Sequence, residues 1–240
     1  MLFLDSVADR HRRPEIMDQP GLDRELLYNA LAGLERINRW SRSTDILWPA
    51  IKAVARTAGT SPVTLLDVAT GAGDIPIGIW HRAQRAGLAL CLAGCDQSPQ
   101  TVEYARRRAI QAGADVCFFE QDVIAGGIPG EYDIVTSSLF LHHLDEKRAI
   151  ELLGRMAGAA RRLVLVNDLV RGRTGFLLAW LGARLLTSSK VVHVDAPRSV
   201  EGAFTPIEAR SLADHAGLTG ATVRRKWPCR FLLSWERPLG

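Results

Sequence analysis

The spacing of hydrophobic positions divides the chain into a helical beginning and a longer part in which strands and helices alternate. Between residues 22 and 40, leucine and isoleucine recur at steps of three and four, which predicts an amphipathic helix. A polar junction at 38–44 precedes a second helix that should run to about Thr57, with Pro49 acceptable only in its first turn. The segment Gly59-Thr60-Ser61-Pro62 then breaks the chain.

After this break, short apolar runs alternate with amphipathic helical segments. The predicted strands are Val63–Val68, Leu88–Cys95, Val116–Glu120, Tyr132–Ser137 and Arg162–Asn167. The predicted helices are Ile75–Arg85, Pro99–Gln111, Glu146–Ala160, Thr174–Leu186 and Pro206–Ala216. The alternation predicts parallel strands joined by right-handed crossovers in an open α/β sheet. Two further runs, Ala221–Lys226 and Arg230–Trp235, predict an antiparallel pair that turns at Pro228.

Composition narrows the class of protein. The 240 residues are 47% hydrophobic and 23% charged, which is typical of a folded globular chain and excludes disordered and fibrous classes. The apolar stretch Phe176–Leu186 has eleven residues, whereas a bilayer span needs roughly twenty. We therefore expect no membrane span, and because the beginning lacks the features of a signal peptide, we expect a cytoplasmic location. The four cysteines fit no common zinc motif and are expected to be buried, reduced thiols.

The net charge of +4 is unevenly distributed. Residues 1–60 hold nine basic and eight acidic side chains, residues 61–168 hold ten and thirteen, and residues 169–240 hold eleven and five. No basic stripe with interleaved aromatic residues accompanies the excess, so nucleic acid is not the expected partner. The basic last third favours an acceptor, or a carrier presenting it, that is anionic. A solvated surface of the last two strands is the simpler alternative.

A glycine-containing turn follows the first predicted strand. The segment reads Asp67-Val-Ala-Thr-Gly71-Ala-Gly73-Asp, and glycines between a buried strand and a helix let backbone amides approach a ligand. A dinucleotide site needs a third glycine where this chain has Pro76, and Asp67 would repel a pyrophosphate. An acid there suits a ligand that presents an ammonium and a sulfonium, as S-adenosylmethionine does.

The next three strands also end in polar groups. Asp96 ends the second strand and can accept hydrogen bonds from ribose hydroxyls, although a capping role for Asp96 or Ser98 is the alternative. Asp122 and Val123 follow the third strand, where they can hold and cover an adenine. Ser138 follows the fourth strand, before Leu-Phe-Leu-His-His-Leu. Because parallel strands end at one edge of the sheet, these groups are predicted to meet there.

These ordered motifs resemble those of class I S-adenosylmethionine-dependent methyltransferases, most closely the group that contains the ubiquinone- and menaquinone-biosynthesis enzymes. The resemblance covers about residues 61–168 and implies an α/β fold. That fold has a Rossmann-like seven-stranded sheet, mostly parallel with an antiparallel last strand. Helices cover both faces, and an N-terminal helical extension is added. We expect one methyltransferase domain: an N-terminal cap (1–60), a cofactor-binding core (61–168), a substrate-covering insertion (169–205), and a closing helix and hairpin (206–240).

The resemblance also implies roles for individual residues. Asp67 would orient the amino group of the cofactor, with Gly71 and Gly73 against its methionine part. Asp96 would bind the ribose, Asp122 and Val123 would hold the adenine, and Ser138 would lie below the sulfonium. The expected cofactor-binding set is Asp67, Ala69, Gly71, Gly73, Asp96, Gln97, Asp122, Val123 and Ser138. Thr70 departs from the glycine or cysteine that related enzymes often carry.

Three histidines are candidates for a general base, which a weakly acidic acceptor such as a phenol requires. His142 and His143 follow the fourth strand, where a capping or cofactor-packing role is the alternative, and His193 lies in the segment expected to cover the substrate. A metal site is not expected, since neighbouring histidines are poorly placed to share an ion and no acid completes a set.

The acceptor is expected to meet residues outside the cofactor core. Trp40 and Arg42 lie at the junction of the first two helices, and Phe176 and Trp180 lie on an unusually apolar helix that could line a hydrophobic pocket. Plain core packing is the alternative for the apolar helix. As a whole, the sequence predicts a metal-independent enzyme that methylates a small aromatic, phenolic or polyketide-like acceptor, with oxygen favoured.

Other functions remain open at this point. They are C-methylation of a quinol-type acceptor, cofactor binding without methyl transfer in a cyclase or accessory protein, and a nicotinamide-dependent oxidoreductase. We expect S-adenosylhomocysteine as the product of the favoured reaction, and a monomer or a homodimer.

Overall fold

The sheet predicted from the apolar runs is present in the computed structural model, which describes residues 7–19, 21–59 and 61–238. Its strands are β1 (Val63–Val68), β2 (Leu90–Asp96), β3 (Val116–Glu120), β4 (Tyr132–Ser138), β5 (Ala160–Leu169), β6 (Thr222–Lys226) and β7 (Arg230–Glu236). In the described part of the chain they form one seven-stranded sheet in the order β3-β2-β1-β4-β5-β7-β6.

Helices follow the strands nearly as the periodicity predicts. They are α1 (Arg24–Trp40), α2 (Ser43–Thr57), α3 (Asp74–Ala86), α4 (Pro99–Ala112), α5 (Glu146–Ala159), α6 (Arg173–Leu186), α7 (Lys190–Gly202) and α8 (Pro206–His215). Short 3-10 turns lie at Ile16–Asp18 and Leu141–His143. Side chains cap several of these helices: Ser98 accepts from the amide of Thr101 at the start of α4, and Asp145 accepts from the amide of Arg148 at the start of α5.

Strand direction confirms the predicted fold class. Strands β1 to β5 pair in parallel, β7 runs antiparallel to β5, and β6 runs antiparallel to β7. The chain order reverses between β1 and β4, which opens a crevice beyond the carboxyl ends of the strands. This crevice is where an open α/β sheet binds its ligands.

Alternation along the strands separates two hydrophobic layers. Leu65 and Leu165 belong to the layer that packs against α2 and α3, whereas Leu66 and Val166 belong to the layer under α5 and α8. The same alternation decides on which face of the sheet each polar residue at a strand end lies. Asp67 therefore continues the α2–α3 side of β1.

A third group of helices lies beyond the carboxyl edge of the sheet. Helices α1, α6 and α7 pack on one another through Ala30, Ala183, Val191 and Val192. Together they form a wall above the strand ends, where the sequence led us to expect an acceptor-covering insertion.

The expectation for Pro49 was wrong. Helix α2 begins at Ser43, so Pro49 is its seventh residue and lies beyond the first turn. Proline in a helix interior removes the hydrogen bond to the carbonyl four residues earlier and crowds that carbonyl. Burial of Leu47 and Ile51 against the sheet stabilises α2 on both sides of this missing hydrogen bond.

Two further differences concern α7 and the cysteines. The segment that contains Val191-Val192-His193-Val194 forms α7, a helix that the sequence analysis did not assign; Ser189 caps it and one of its sides is buried. Cys95 is buried as expected, but Cys91 and Cys117 are exposed and Cys229 is half-buried; all four are free thiols.

Among the described residues, no helix has both the length and the apolar character needed to cross a bilayer.

Replacing Gly73 by alanine should destabilise the protein more than the same replacement at Gly87. Both glycines have positive φ, 73° and 63°, so alanine costs about 1–2 kcal/mol at either position. At Gly73 the added methyl would also lie 2.6 Å from Cζ of Phe118, which adds about 1–3 kcal/mol of overpacking. Urea unfolding of both variants measures this difference; equal losses in the free energy of unfolding would contradict the close contact.

Candidate functional site

A cavity of about 740 Å³ occupies the crevice at the carboxyl edge. Its walls come from the strand ends, from α1, α6 and α7, and from the segment that precedes α1. The sequence-predicted residues that line it are Trp40, Asp67, Ala69, Gly71, Asp96, Gln97, Asp122, Val123, Ser138, His142 and His143. The structure thus brings most of the predicted site residues together.

The glycine turn after β1 is tied to the end of β2. The amide of Gly71 donates to Oδ2 of Asp96 at 3.1 Å, and the amide of Ser98 donates to Oδ1 at 3.0 Å. Ala69 and Gly71 both have positive φ, 52° and 55°, which folds the turn back towards β2. Gly73 does not line the cavity; it makes room for Phe118 instead.

Asp67 is a buried acid without a cationic neighbour in contact. Its oxygens accept hydrogen bonds from the hydroxyls of Thr136 at 2.7 Å and Thr70 at 2.8 Å. Burial outweighs these bonds and, with the nearby Asp96, raises the pKa of Asp67 to about 6. Thr70, the departure from related sequences, therefore supports the acid that the site depends on.

A second acid, Asp74, is half-buried and lines the same cavity. Asp74 begins α3, and burial raises its pKa to about 7 despite a hydrogen bond to Asn38. Two carboxyl groups with raised pKa values, close to one cavity, favour a ligand that brings a positive charge. Neither Asp74 nor Asn38 was predicted, although Asp74 directly follows the glycine turn.

Asp122 both shapes its turn and lines the cavity. Its Oδ1 accepts from the amides of Ile124 at 2.8 Å and Ala125 at 2.9 Å. Val123, beside it, is buried and also lines the cavity. The end of β3 therefore presents one acid and one apolar side chain to the same space.

The histidine turn after β4 is held by Asp168, near the end of β5. Nδ1 of His142 lies 2.7 Å from Oδ1 of Asp168, and the amide of His142 donates to Oδ2 at 3.1 Å. A carboxylate only accepts hydrogen bonds, so Nδ1 carries the proton and Nε2 is the second, free position of the ring. Extending the pattern of polar strand ends to the fifth strand would have identified Asp168.

Glu15, which the sequence did not single out, lies opposite both histidines. Its Oε1 is 3.6 Å from Nε2 of His142 and 3.8 Å from Nε2 of His143. It accepts from the hydroxyl of Ser199 at 2.5 Å, while Nδ1 of His143 lies 2.8 Å from Asp18. Glu15 and Asp18 belong to an irregular segment without periodicity, so no pattern in the sequence marks them.

These neighbouring charged groups strongly shift one another's pKa values. Burial by itself lowers the pKa of His142, but attraction to Asp168 and Glu15 is larger in sum and raises it to about 10. Burial likewise raises the pKa of Glu15, whereas His142 and His143 together lower it to about 2. At neutral pH, His142 in the ligand-free protein is thus an imidazolium between two carboxylates.

The N-terminal segment, residues 7–19, is fastened to α7 and to the histidine turn. The amides of Ile16 and Met17 donate to Asp195 at 2.9 and 3.1 Å. The guanidinium of Arg10 donates to the carbonyl of Leu144 at 2.5 Å and stacks over Phe204. These contacts place Glu15 in the cavity wall.

The sequence-based argument against a metal was wrong in its premise. An acid does complete a set, because ligand atoms of Glu15, His142 and His143 all lie within 4.8 Å of one another. These three side chains could hold a divalent cation, since carboxylate oxygen and imidazole nitrogen are common ligands of such ions.

Several residues expected on the acceptor side lie outside the cavity. Arg42 pairs with Asp45 at 2.7 Å on the outer surface, and Nε2 of His193 lies 2.8 Å from the carbonyl oxygen of Thr187. Phe176 and Trp180 do not line the cavity either. The side of α6 that faces it presents, at helical spacing, Gly175, Leu178, Ala179, Gly182, Ala183 and Leu186. The sequence correctly predicted that α6 borders the cavity, but the residues of α6 that face the cavity are not Phe176 and Trp180.

Arg230, at the start of β7, is a further lining residue that the sequence did not identify. It is buried, and its Nη2 donates to Oγ of Ser41 at 2.7 Å and lies 3.4 Å from Oδ1 of Asn38. The basic run 224–226 that drew attention in the sequence lies on β6 instead, with Arg224 and Arg225 exposed.

Comparisons with known proteins agree with this geometry. A family model described as "Methyltransferase domain" matches residues 65–162. A demethylmenaquinone methyltransferase of Thermus thermophilus is 33% identical over 191 residues, which cover 75% of this chain and 84% of that protein. The matched region therefore extends well beyond the cofactor core.

Two solved structures share the fold. Magnesium protoporphyrin IX methyltransferase from Synechocystis PCC 6803 with bound S-adenosylhomocysteine has a TM-score of 0.57 and 16% identity, covering 92% of this chain and 91% of that one. An O-methyltransferase family protein from Burkholderia thailandensis has a TM-score of 0.62 and 21% identity, with 93% and 62% covered. At these identities the likeness shows the fold alone.

Asp67→Asn should remove part of the pH dependence of stability. Because burial raises the pKa of Asp67 from 3.8 to about 6, its contribution to stability is present below pH 4 and is lost as the pH rises through 6. Relative to wild type, the ligand-free variant should gain up to about 3 kcal/mol between pH 4 and pH 7. Urea unfolding at several pH values measures the gain, with the exposed Asp115→Asn as control; a pH-independent difference would contradict the buried, uncompensated acid.

Proposed function

Because this chain belongs to the class I S-adenosylmethionine-dependent methyltransferases, we propose that it transfers the cofactor's methyl group to an oxygen of a small acceptor. An aromatic, phenolic or polyketide-like acceptor fits best. The observation that supports transfer to a hydroxyl after removal of its proton is the buried His142–Asp168 pair in the cavity wall, with 2.7 Å between Nδ1 and Oδ1. An oriented imidazole beside a ligand cavity is suited to removing the proton of a weakly acidic hydroxyl.

The cofactor fits the residues at the ends of β1 to β4. Asp67, buried without a cation, would hold the ammonium group, and Asp96 would bind the ribose. Asp122 and Val123 would hold the adenine, and the hydroxyl of Ser138 would lie below the sulfonium. Ala69, Gly71 and Gln97 would complete the contact surface, whereas Gly73 supports the turn from behind. When bound, S-adenosylmethionine supplies an activated methyl group.

The chain's own task is alignment and the exclusion of water. We propose that residues 1–60 and 169–205 enclose the acceptor over the core at 61–168, with 206–240 closing one methyltransferase domain. The apolar lining supports an acceptor with a flat or hydrophobic body: Leu34, Ile37, Trp40, Leu178 and Leu186. Within this site we propose a small-molecule acceptor rather than nucleic acid, a cytoplasmic location, and a monomer or homodimer.

His142 can take a proton only in its neutral form. Asp168 fixes the ring and its tautomer, which leaves Nε2 as the accepting atom. In the ligand-free protein Glu15 holds the ring protonated. An acceptor that separates Glu15 from Nε2 would lower the pKa of His142 towards its ordinary value and so create the base.

A second candidate is C-methylation of a quinol-type ring. It is favoured by the 33% identity to a protein named as a demethylmenaquinone methyltransferase. Removal of a phenolic proton activates the neighbouring ring carbon as well as the oxygen, so the same histidine would serve. The position of the transferred methyl group on the product distinguishes the two reactions.

His142→Ala should lower the rate of methyl transfer by about 10²–10⁴-fold, since a positioned acid or base contributes about that factor. Asp168→Asn should have a comparable effect because it destabilises the required tautomer. The probes are resorcinol and hydroquinone with ¹³C-methyl-labelled cofactor, read out by NMR as an O-methyl or a ring methyl.

Cofactor affinity, measured by calorimetry, should stay unchanged in both variants, and the exposed His215→Ala serves as the control. A His142→Ala variant with the wild-type rate would refute the base. Ring-methyl product would favour the second candidate, and absence of cofactor binding by the wild type would refute methyl transfer altogether.

Glu15→Gln should shift the pH dependence of turnover. The Glu15 anion favours the charged form of His142, so its removal lowers the pKa of that histidine from about 10. The acidic limb of the kcat/KM profile should therefore move to lower pH, and activity at pH 7 should rise relative to that at pH 9. Asp18→Asn, which faces His143, is the matched control, and an unmoved limb would contradict the coupling.

A further inference from the structure

Arg230 carries a charge that no described group in contact with it neutralises. The residue is only 2% exposed, yet it lines the cavity. Nη2 makes the two contacts with Ser41 and Asn38, while Nε and Nη1 have no hydrogen-bond partner among the described residues. Buried guanidinium groups normally pair with a carboxylate, because desolvating an unpaired charge costs several kcal/mol.

The surrounding acids do not offset this cost. Burial lowers the pKa of Arg230 to about 10, and Asp168 and Asp74 act on it only through space. Asp168 is engaged by His142, and Asp74 by Asn38. The cation therefore lies in a wall of the cavity with two donor nitrogens, Nε and Nη1, that have no partner among the described residues.

Two more polar side chains close to this position are buried without partners. They are the amide of Asn167 and the hydroxyl of Ser138. Ser138 pairs in register with Asn167, and Asn167 pairs with Leu232, two residues from Arg230. By strand alternation these three side chains share one face of the sheet at its carboxyl edge. Leaving a buried polar group without a partner is unfavourable, and of the two side chains Asn167 and Ser138, Ser138 lines the cavity together with Arg230.

We propose that Arg230, together with the hydroxyl of Ser138 in the same cavity wall, binds an anionic oxygen of the acceptor, either a carboxylate or an ionised phenol. This inference rests on the proposed function and adds the chemical class of the acceptor to it. A guanidinium with two free donors suits such an oxygen because charged hydrogen bonds are roughly twice as strong as neutral ones.

The position in the sheet favours the acceptor over the cofactor's own carboxylate. The cofactor-binding residues lie at the ends of β1, β2, β3 and β4, whereas Arg230 begins β7, on the far side of β5. The path from β1 to Arg230 crosses β4, where Ser138 is expected below the transferred methyl, and then β5 with Asp168. Along the sheet, Arg230 is thus separated from β1 by β4 and β5, although Asn38 contacts both Arg230 and Asp74.

The test compares Arg230→Met with Arg224→Met, a matched change at an exposed arginine of the neighbouring strand. The protein is saturated with S-adenosylhomocysteine, and two probes of equal shape are titrated by calorimetry: salicylate, which is anionic, and salicylamide, which is neutral. Wild type and Arg224→Met should prefer salicylate by at least about tenfold. Arg230→Met should lose that preference while still binding salicylamide.

Stability provides a second readout. Since Arg230 is a buried cation without a bonded anion, methionine should leave the Tm of the ligand-free protein unchanged or raise it. A lower Tm would assign Arg230 to holding Ser41 and Asn38 and would contradict the proposal. Arg230→Lys, which keeps the charge but loses the fork of donors, should retain a weakened preference for salicylate.

Cofactor binding separates the remaining outcomes. If Arg230→Met weakens S-adenosylmethionine tenfold but leaves methylthioadenosine unchanged, Arg230 binds the cofactor's carboxylate and the proposal is overturned. No preference for salicylate in the wild type overturns it as well. Failure of the wild type to bind S-adenosylmethionine would instead refute the proposed function, which is a separate result.

Discussion

The contact between Asp168 and His142 is the interaction on which the site depends. It joins the end of β5 to the turn after β4, so that a carboxylate from one strand fixes the imidazole that follows its neighbour. Both groups are buried: attraction to Asp168 and Glu15 together outweighs burial and raises the pKa of His142, while His142 and two backbone amides lower the pKa of Asp168. Once the ring is fixed, its second nitrogen has a defined direction, and Glu15 from the opposite end of the chain is placed against it.

The rest of the cavity is built from charges that the fold leaves unsatisfied. Asp67, after β1, has no cation in contact, and Arg230, at the start of β7, has no bonded anion. In a well-packed interior such groups would be selected against, because each raises the free energy of the ligand-free protein. Their separation favours a cationic group near the glycine turn and an anionic group near β7. The same unpaired charges that destabilise the ligand-free protein would thus bind the charged groups of its ligands.

Sequence patterns predict the sheet and the cofactor side well, because both follow from local rules. A buried strand that ends in glycine or an acid can be recognised in the sequence, and its last residues must lie at the carboxyl edge. Asp67, Asp96 and Asp122 could therefore be predicted to lie at this edge. The acceptor side depends on contacts between residues distant in sequence. Whether Trp180 or Leu178 faces the cavity depends on how α6 rotates against α1 and α7, and the sequence of α6, apolar on most sides, leaves that angle open. No pattern in the sequence marks Glu15, because its position depends on contacts of its segment with Asp195 and Ser199, far along the chain.

The attachment of residues 7–19 also has a consequence for the order in which the molecule assembles. Glu15 meets Ser199 across 184 positions, and Ile16 meets Asp195 across 179. During synthesis on the ribosome residues 7–19 emerge before the sheet, yet the helix that binds them is made only after β1 to β5. Docking of the N-terminal segment therefore follows the synthesis of α7, and Glu15 reaches His142 only after that step. The acids at the ends of β1, β2 and β3, by contrast, all precede α7 in the chain.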